Sequence, residues 1–176
     1  MNQLRIATRL SVLIGILSLL LVGVGGLGLY GINSSNDALR AVYDNRLVPV
    51  GQLGDIQSRL LSNRLAIAAA LINPSPDMVR DGVKTVEENI AAITQVWAVY
   101  MATSLSPEEA ALAKQFADNR SRFVKEGLLP AAAALKANDL DTARRTVFEK
   151  VRPLFVPVKA NIDALVALQL REAQRG

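Results

Sequence analysis

Between Leu10 and Asn36 the chain carries no charged residue, and Leu10 to Ile32 reads LSVLIGILSLLLVGVGGLGLYGI, an almost unbroken apolar run. As a helix rising ~1.5 Å per residue this run reaches ~35 Å, enough for a ~30 Å hydrocarbon core with some tilt. The competing reading is a cleaved signal peptide, whose apolar region covers ~7–15 residues and ends in a small-x-small site. The run here is longer, and Tyr30-Gly31-Ile32 is a poor cleavage site. Arg5 and Arg9 precede it with no acid nearby, so Met1 is expected to stay in the cytoplasm and everything from Asn33 onward to lie across the membrane. The expected organisation is a cytoplasmic start over 1–9, a transmembrane helix over 10–32 and an exported domain over 33–176. Glycines at 23, 25, 26, 28 and 31 let a second membrane helix approach closely.

Composition narrows the exported part. Ala, Leu and Val dominate while aromatic residues make up only 5%, which favours helices over strands. The chain has no Cys and no His, so a disulfide framework, the usual zinc and haem ligand sets and a Ser-His or Cys-His nucleophile pair are all out of reach. There is no Gly-rich phosphate loop either; no enzymatic activity, cofactor or metal is expected. Arg5 and Arg9 supply half of the net charge of +4, which leaves no concentrated basic face for nucleic acid.

Three turn signals divide the rest. Asn73-Pro74-Ser75-Pro76-Asp77 cannot continue a helix. In Ser104-Leu105-Ser106-Pro107-Glu108-Glu109, Ser106 is the N-cap, Pro107 the first helical residue and Glu109 the third, a capping box. Ala137-Asn138-Asp139-Leu140-Asp141 offers Asp139 or Asp141 as the next N-cap. Four helices follow, over roughly 35–72, 77–103, 107–136 and 140–174. Val79, Val83, Val86, Ile90, Ile93, Trp97 and Tyr100 alternate steps of four and three, the spacing of a bundle seam, and Val147, Val151, Leu154, Val158, Ile162 and Leu165 repeat it less regularly. Short connections force neighbours antiparallel, so the fold class is all-α, an up-down four-helix bundle preceded by one transmembrane helix.

Helix one carries two apolar stripes, Leu53, Ile56, Leu60, Ile67 and Leu71 on one side and Leu61, Leu65, Ala68 and Ile72 on another. One stripe fits the core; the other suits a partner subunit or the margin of a broad core face. Pro49 in helix one and Pro153 and Pro157 in helix four each remove an amide donor, so a kink or break is expected at each.

This organisation resembles the four-helix-bundle sensor domains of methyl-accepting chemotaxis proteins, over nearly the whole chain. Trp97-x-x-Tyr100 ahead of the Ser106-Pro107-Glu108-Glu109 turn is similar to that family's end of helix two, and Pro49 to a common feature of its helix one. Ile162-Asp163-Ala164-Leu165-Val166-Ala167-Leu168-Gln169 resembles the approach to a second membrane helix. Arg59-Leu60-Leu61-Ser62-Asn63-Arg64 is similar to the Arg-x-x-x-Asn/Ser-Arg run of the enterobacterial aspartate and serine receptors. There the two arginines come from opposite subunits of a dimer and hold the ligand's carboxylates, while the intervening polar residue contacts its amino group. Helical geometry agrees, with Arg59 and Asn63 ~40° apart on one face and Arg64 ~140° from Arg59. The receptors' third arginine falls on Ala68, which argues against an amino acid bound in the same manner; Arg152 in helix four is a candidate for the lost charge.

The resemblance implies a homodimer in the bacterial inner membrane, with a periplasmic domain that binds a small anionic compound through Arg59, Asn63 and Arg64; the departure at Ala68 puts an organic acid before an amino acid and adds Arg152 as a candidate. The resemblance also implies continuation past Gly176 into a second membrane helix, a relay and a cytoplasmic signalling region. The alternatives are that the same bundle is the input domain of a histidine kinase or cyclase, or a membrane-anchored scaffold that binds no small molecule.

Overall fold

The computed structural model describes residues 14–25 and 48–175. The chain divides into two units, Met1–Asp44 and Asn45–Gly176. In the first, Ile14–Gly25 (α1) is an apolar helix whose large side chains, Leu19, Leu21 and Val22 among them, are exposed. The remainder of the expected 10–32 span, the 1–9 start and the 35–47 part of helix one lie outside the described residues.

The second unit is four antiparallel rods. Rod one is α2 (Val48–Ile72) and rod two α3 (Pro76–Met101). Rod three comprises α4 (Pro107–Arg122), a π-helical segment Phe123–Leu128 and α5 (Leu129–Lys136). Rod four comprises α6 (Leu140–Thr146), a second π segment Val147–Val151 and α7 (Arg152–Arg175). The ends are set by the expected caps. The Ser75 side chain accepts from the Met78 amide, Ser106 and Glu109 form the reciprocal capping box, and Asp139 accepts from the Thr142 amide at 3.0 Å, which holds its carboxyl below its ordinary value. Asn138 supplies the left-handed residue of the last turn, φ 56°, a conformation asparagine tolerates better than most.

Rod one packs on rods two and four, rod two on rod three and rod three on rod four, closing a ring around one core. Leu53, Ile56, Leu60 and Ile67 enter it from rod one, the Val83, Val86, Ile93, Tyr100 seam from rod two, Phe116 and Phe123 from rod three, and Val151, Val158, Ile162 and Leu165 from rod four. Leu140–Glu172 is long and apolar enough to cross a membrane, yet its Val151, Val158, Ile162 and Leu165 face this core, so its hydropathy is that of a core rod. Gly82 brings rods one and two together: a Cβ there would lie 3.0 Å from the Ala66 carbonyl oxygen.

Proline placement explains the irregular segments. A proline ring clashes with the carbonyl four residues back. For Pro153 that carbonyl belongs to Glu149 and for Pro130 to Glu126, and both lie within the π segments, where the wider turn takes them out of the four-residue frame. The chain absorbs these prolines in π turns, and Pro130, which sequence reasoning passes over, is as consequential as Pro153. Pro49 is the second residue of the described part of rod one and is buried; Pro157 lies inside α7. The two π segments pack on each other, and a Cβ on Gly127 would meet Val151 Cα at 3.4 Å.

Candidate ligand site

Rod one presents its two stripes to different surroundings. Leu53, Ile56, Leu60 and Ile67 are sealed in the core, whereas Leu61, Leu65, Ala68 and Ile72 remain exposed, Leu65 at 70% and Ile72 at 85%. Beside the exposed stripe, on the rod four side, lies a groove of about 410 Å³ whose walls include Leu61, Leu65, Ala68 and Val147, with Arg64 and Arg152 as its charged members.

Each of these arginines is propped on an aromatic ring. The Arg64 guanidinium lies 4.2 Å from the centroid of Phe155, and that of Arg152 4.8 Å from Phe148. Such stacking fixes the plane of the guanidinium while leaving its N–H edges free to donate. Neither forms an ion pair with a carboxylate among the described residues. Two unmatched charges over an apolar lining favour an anion that offers oxygens to the arginines and carbon to Leu61, Leu65 and Val147.

Arg59 sits differently. Its Nε donates to both carboxylate oxygens of Asp55, at 3.0 and 2.9 Å, and its Nη1 to Asn89 Oδ1 at 3.2 Å, which ties it toward rod two. Asn89 in turn donates to Ser62 Oγ at 3.3 Å. Asn63 points inward with no exposed surface, and neither its amide nitrogen nor its amide oxygen has a partner among the described residues. The four residues singled out in the sequence are therefore divided. Arg64 and Arg152 share one groove, Arg59 lies on another side of rod one, and Asn63 is in the core.

Phe148 and Phe155, the rings under the two arginines, are the contacts that sequence reasoning misses. Phe148 stands one helical turn before Arg152, a spacing that brings side chains together, so that signal was available. Phe155 reaches Arg64 across two rods, and no local pattern announces it.

A second polar cluster lies at the turn between rods two and three. Glu109, 3% exposed, accepts through Oε1 from the Tyr100 hydroxyl and from Gln169 Nε2, and through Oε2 from the Ser106 amide. Burial, together with the adjacent Glu109 carboxylate, pushes the Tyr100 phenol far above its ordinary value. These groups answer one another and join rods two, three and four.

No curated protein and no solved structure matches the chain. The family model described as Tar ligand binding domain homologue matches residues 1–173. With four helical rods around one core and a family match over nearly its full length, the chain belongs to the Tar ligand binding domain homologue family, the aspartate/serine-receptor-like sensor domains of chemoreceptors.

Proposed function

We propose that this sensor domain recognises a small organic acid in the groove between rods one and four, with Arg64 and Arg152 binding its carboxylate. The observation that carries the reading is the pair of ring-stacked guanidiniums, both without a carboxylate partner among the described residues, on one apolar-walled groove. Ala68, where the aspartate- and serine-type pattern has a third arginine, lowers the positive charge and favours an organic acid over an amino acid.

The domain works as a two-fold dimer with rod one at the interface. The exposed stripe Leu61, Leu65, Ala68 and Ile72 is the surface a second copy covers, in an isologous contact. Arg59, ~140° around the helix from Arg64, then serves the symmetry-related half-site by exchanging Asp55 for the ligand's carboxylate, and Asn63 lines the layer behind it. Residues 10–32 span the inner membrane, Met1 is cytoplasmic and 33–176 is periplasmic, as Arg5 and Arg9 favour. Ligand favours one packing of rod four on rod one, and that bias passes along α7 toward the membrane.

Calorimetric titration of the full chain in nanodiscs with dicarboxylates, tricarboxylates, aromatic acids and amino acids tests the reading. Arg64→Ala and Arg152→Ala are each expected to weaken the best ligand by about ten- to a hundredfold, the worth of a lost charge-assisted hydrogen bond, with ligand-free stability unchanged within ~0.5 kcal/mol. Wild-type affinity in both variants removes the groove from consideration.

A further inference from the structure

On the face of the bundle opposite the rod one–rod four groove, rods two and three border an open pocket of about 230 Å³ with Trp97, Thr94, Ser121, Arg120 and Lys125 on its walls and no carboxylate among them. Arg120 enters from rod three. Its Nη2 donates to the Ile90 carbonyl at 2.9 Å and to Thr94 Oγ1 at 2.8 Å, both uncharged, while its buried Nε has no partner. It forms no ion pair among the described residues, and burial pushes its guanidinium below its ordinary value. Lys125, one turn further along the rod, is exposed and also without an ion pair among the described residues; the neighbouring Glu126 is taken up by Arg122 and Lys150 instead.

A partly desolvated guanidinium held by neutral acceptors is a costly arrangement unless an anion completes it. Thr94 Oγ1 gives its one proton to the Ile90 carbonyl at 2.8 Å, so the Ser121 hydroxyl is the donor added at the same place, and the volume suits a compact ligand better than an extended one. We propose that this pocket is a second anion site, separate from the groove, that takes a compact oxyanion of the size of phosphate, sulfate or acetate on Arg120 and Lys125, with the Ser121 hydroxyl donating to a remaining oxygen. Arg59, Asn63, Arg64 and Arg152 all lie outside this pocket.

The protein contains its own probe, because Trp97 is the sole tryptophan and lines the pocket. The full chain in nanodiscs is titrated separately with inorganic phosphate, sulfate and acetate at ionic strength held constant with chloride. Trp97 emission is expected to change saturably with at least one oxyanion, and the three arms identify which. Lys125→Gln, at an exposed position that the fold does not need, and Arg120→Gln, checked for helicity, are each expected to raise the midpoint at least tenfold, whereas Arg64→Ala leaves it unchanged. No saturable change with any of the three anions, a change that persists in both pocket variants, or one abolished by Arg64→Ala overturns the second site.

Discussion

The turn between rods two and three and the middle of rod one both place polar groups inside the bundle, but they treat them in opposite ways. At the turn, Tyr100, Glu109, Gln169 and the Ser106 amide satisfy one another. At mid-bundle, Asn63 is fully buried with both amide atoms unpartnered, and Arg64 and Arg152 rest on phenyl rings without a carboxylate between them. A satisfied buried network fixes one arrangement of the elements it joins; an unsatisfied one costs stability and is retained where something outside the chain completes it. The contrast separates the part of the molecule that holds the rods in register from the part where we propose that a ligand binds.

The sharpest way to break this contrast is Glu109→Ala. It leaves the Tyr100 hydroxyl and Gln169 amide buried without their acceptor, removes one half of the capping box and opens a void, and the expected loss is about 2–4 kcal/mol. Urea unfolding measures it. A loss under ~1 kcal/mol would place the turn cluster on the same footing as an exposed contact.

Tyr100→Phe is the next step down, with about 1–2 kcal/mol lost at neutral pH because Glu109 keeps its other donors. Its pH profile sharpens the point. The folded state holds the Tyr100 proton more tightly than the unfolded chain, where phenols titrate near pH ~10, so the unfolded state binds fewer protons above that value. The stabilisation is therefore complete below pH ~10 and is lost as pH rises through the folded value. The stability gap between wild type and Tyr100→Phe should narrow above pH ~10, and a constant gap up to the alkaline limit of folding would mean that the phenol is not held neutral.

The division between these regions was only partly legible in the sequence. Ser106, Pro107 and Glu109 announce their capping box by local spacing, and Val83, Val86, Ile93 and Tyr100 their seam by period, because both are properties of a single helix. The two stripes of rod one could be read for the same reason. What the spacing could not give is where a long side chain goes once other rods arrive. Arg59 and Arg64 look equivalent in sequence, yet one finds Asp55 on its own helix and the other Phe155 on another. Asn63 reads as a polar residue beside two arginines, and only the closed ring of rods puts it in the core. Glu109 was visible as a cap, but its bond from Gln169, sixty residues away, was not. The π segments escaped too: a proline announces that a helix must adjust, as at Pro153, but not that it does so by a wider turn, and Pro130 was passed over.

Asn63 supplies the smallest effect and the one with opposite sign. An asparagine amide buried without partners carries its desolvation cost with nothing returned, so an apolar side chain of similar volume should sit there more comfortably. Asn63→Leu is expected to raise the stability of the ligand-free protein by about 1 kcal/mol, where most core substitutions lower it. If the amide is retained for binding, the same variant will bind the organic acid proposed for the groove more weakly although it is the more stable protein, and melting and titration of one sample measure both. Destabilisation by more than ~1 kcal/mol would show instead that the amide has a partner in solution, such as a buried water, and that mid-bundle is as well satisfied as the turn. A gain in stability with unchanged affinity would leave the contrast between the two regions standing and remove Asn63 from the site.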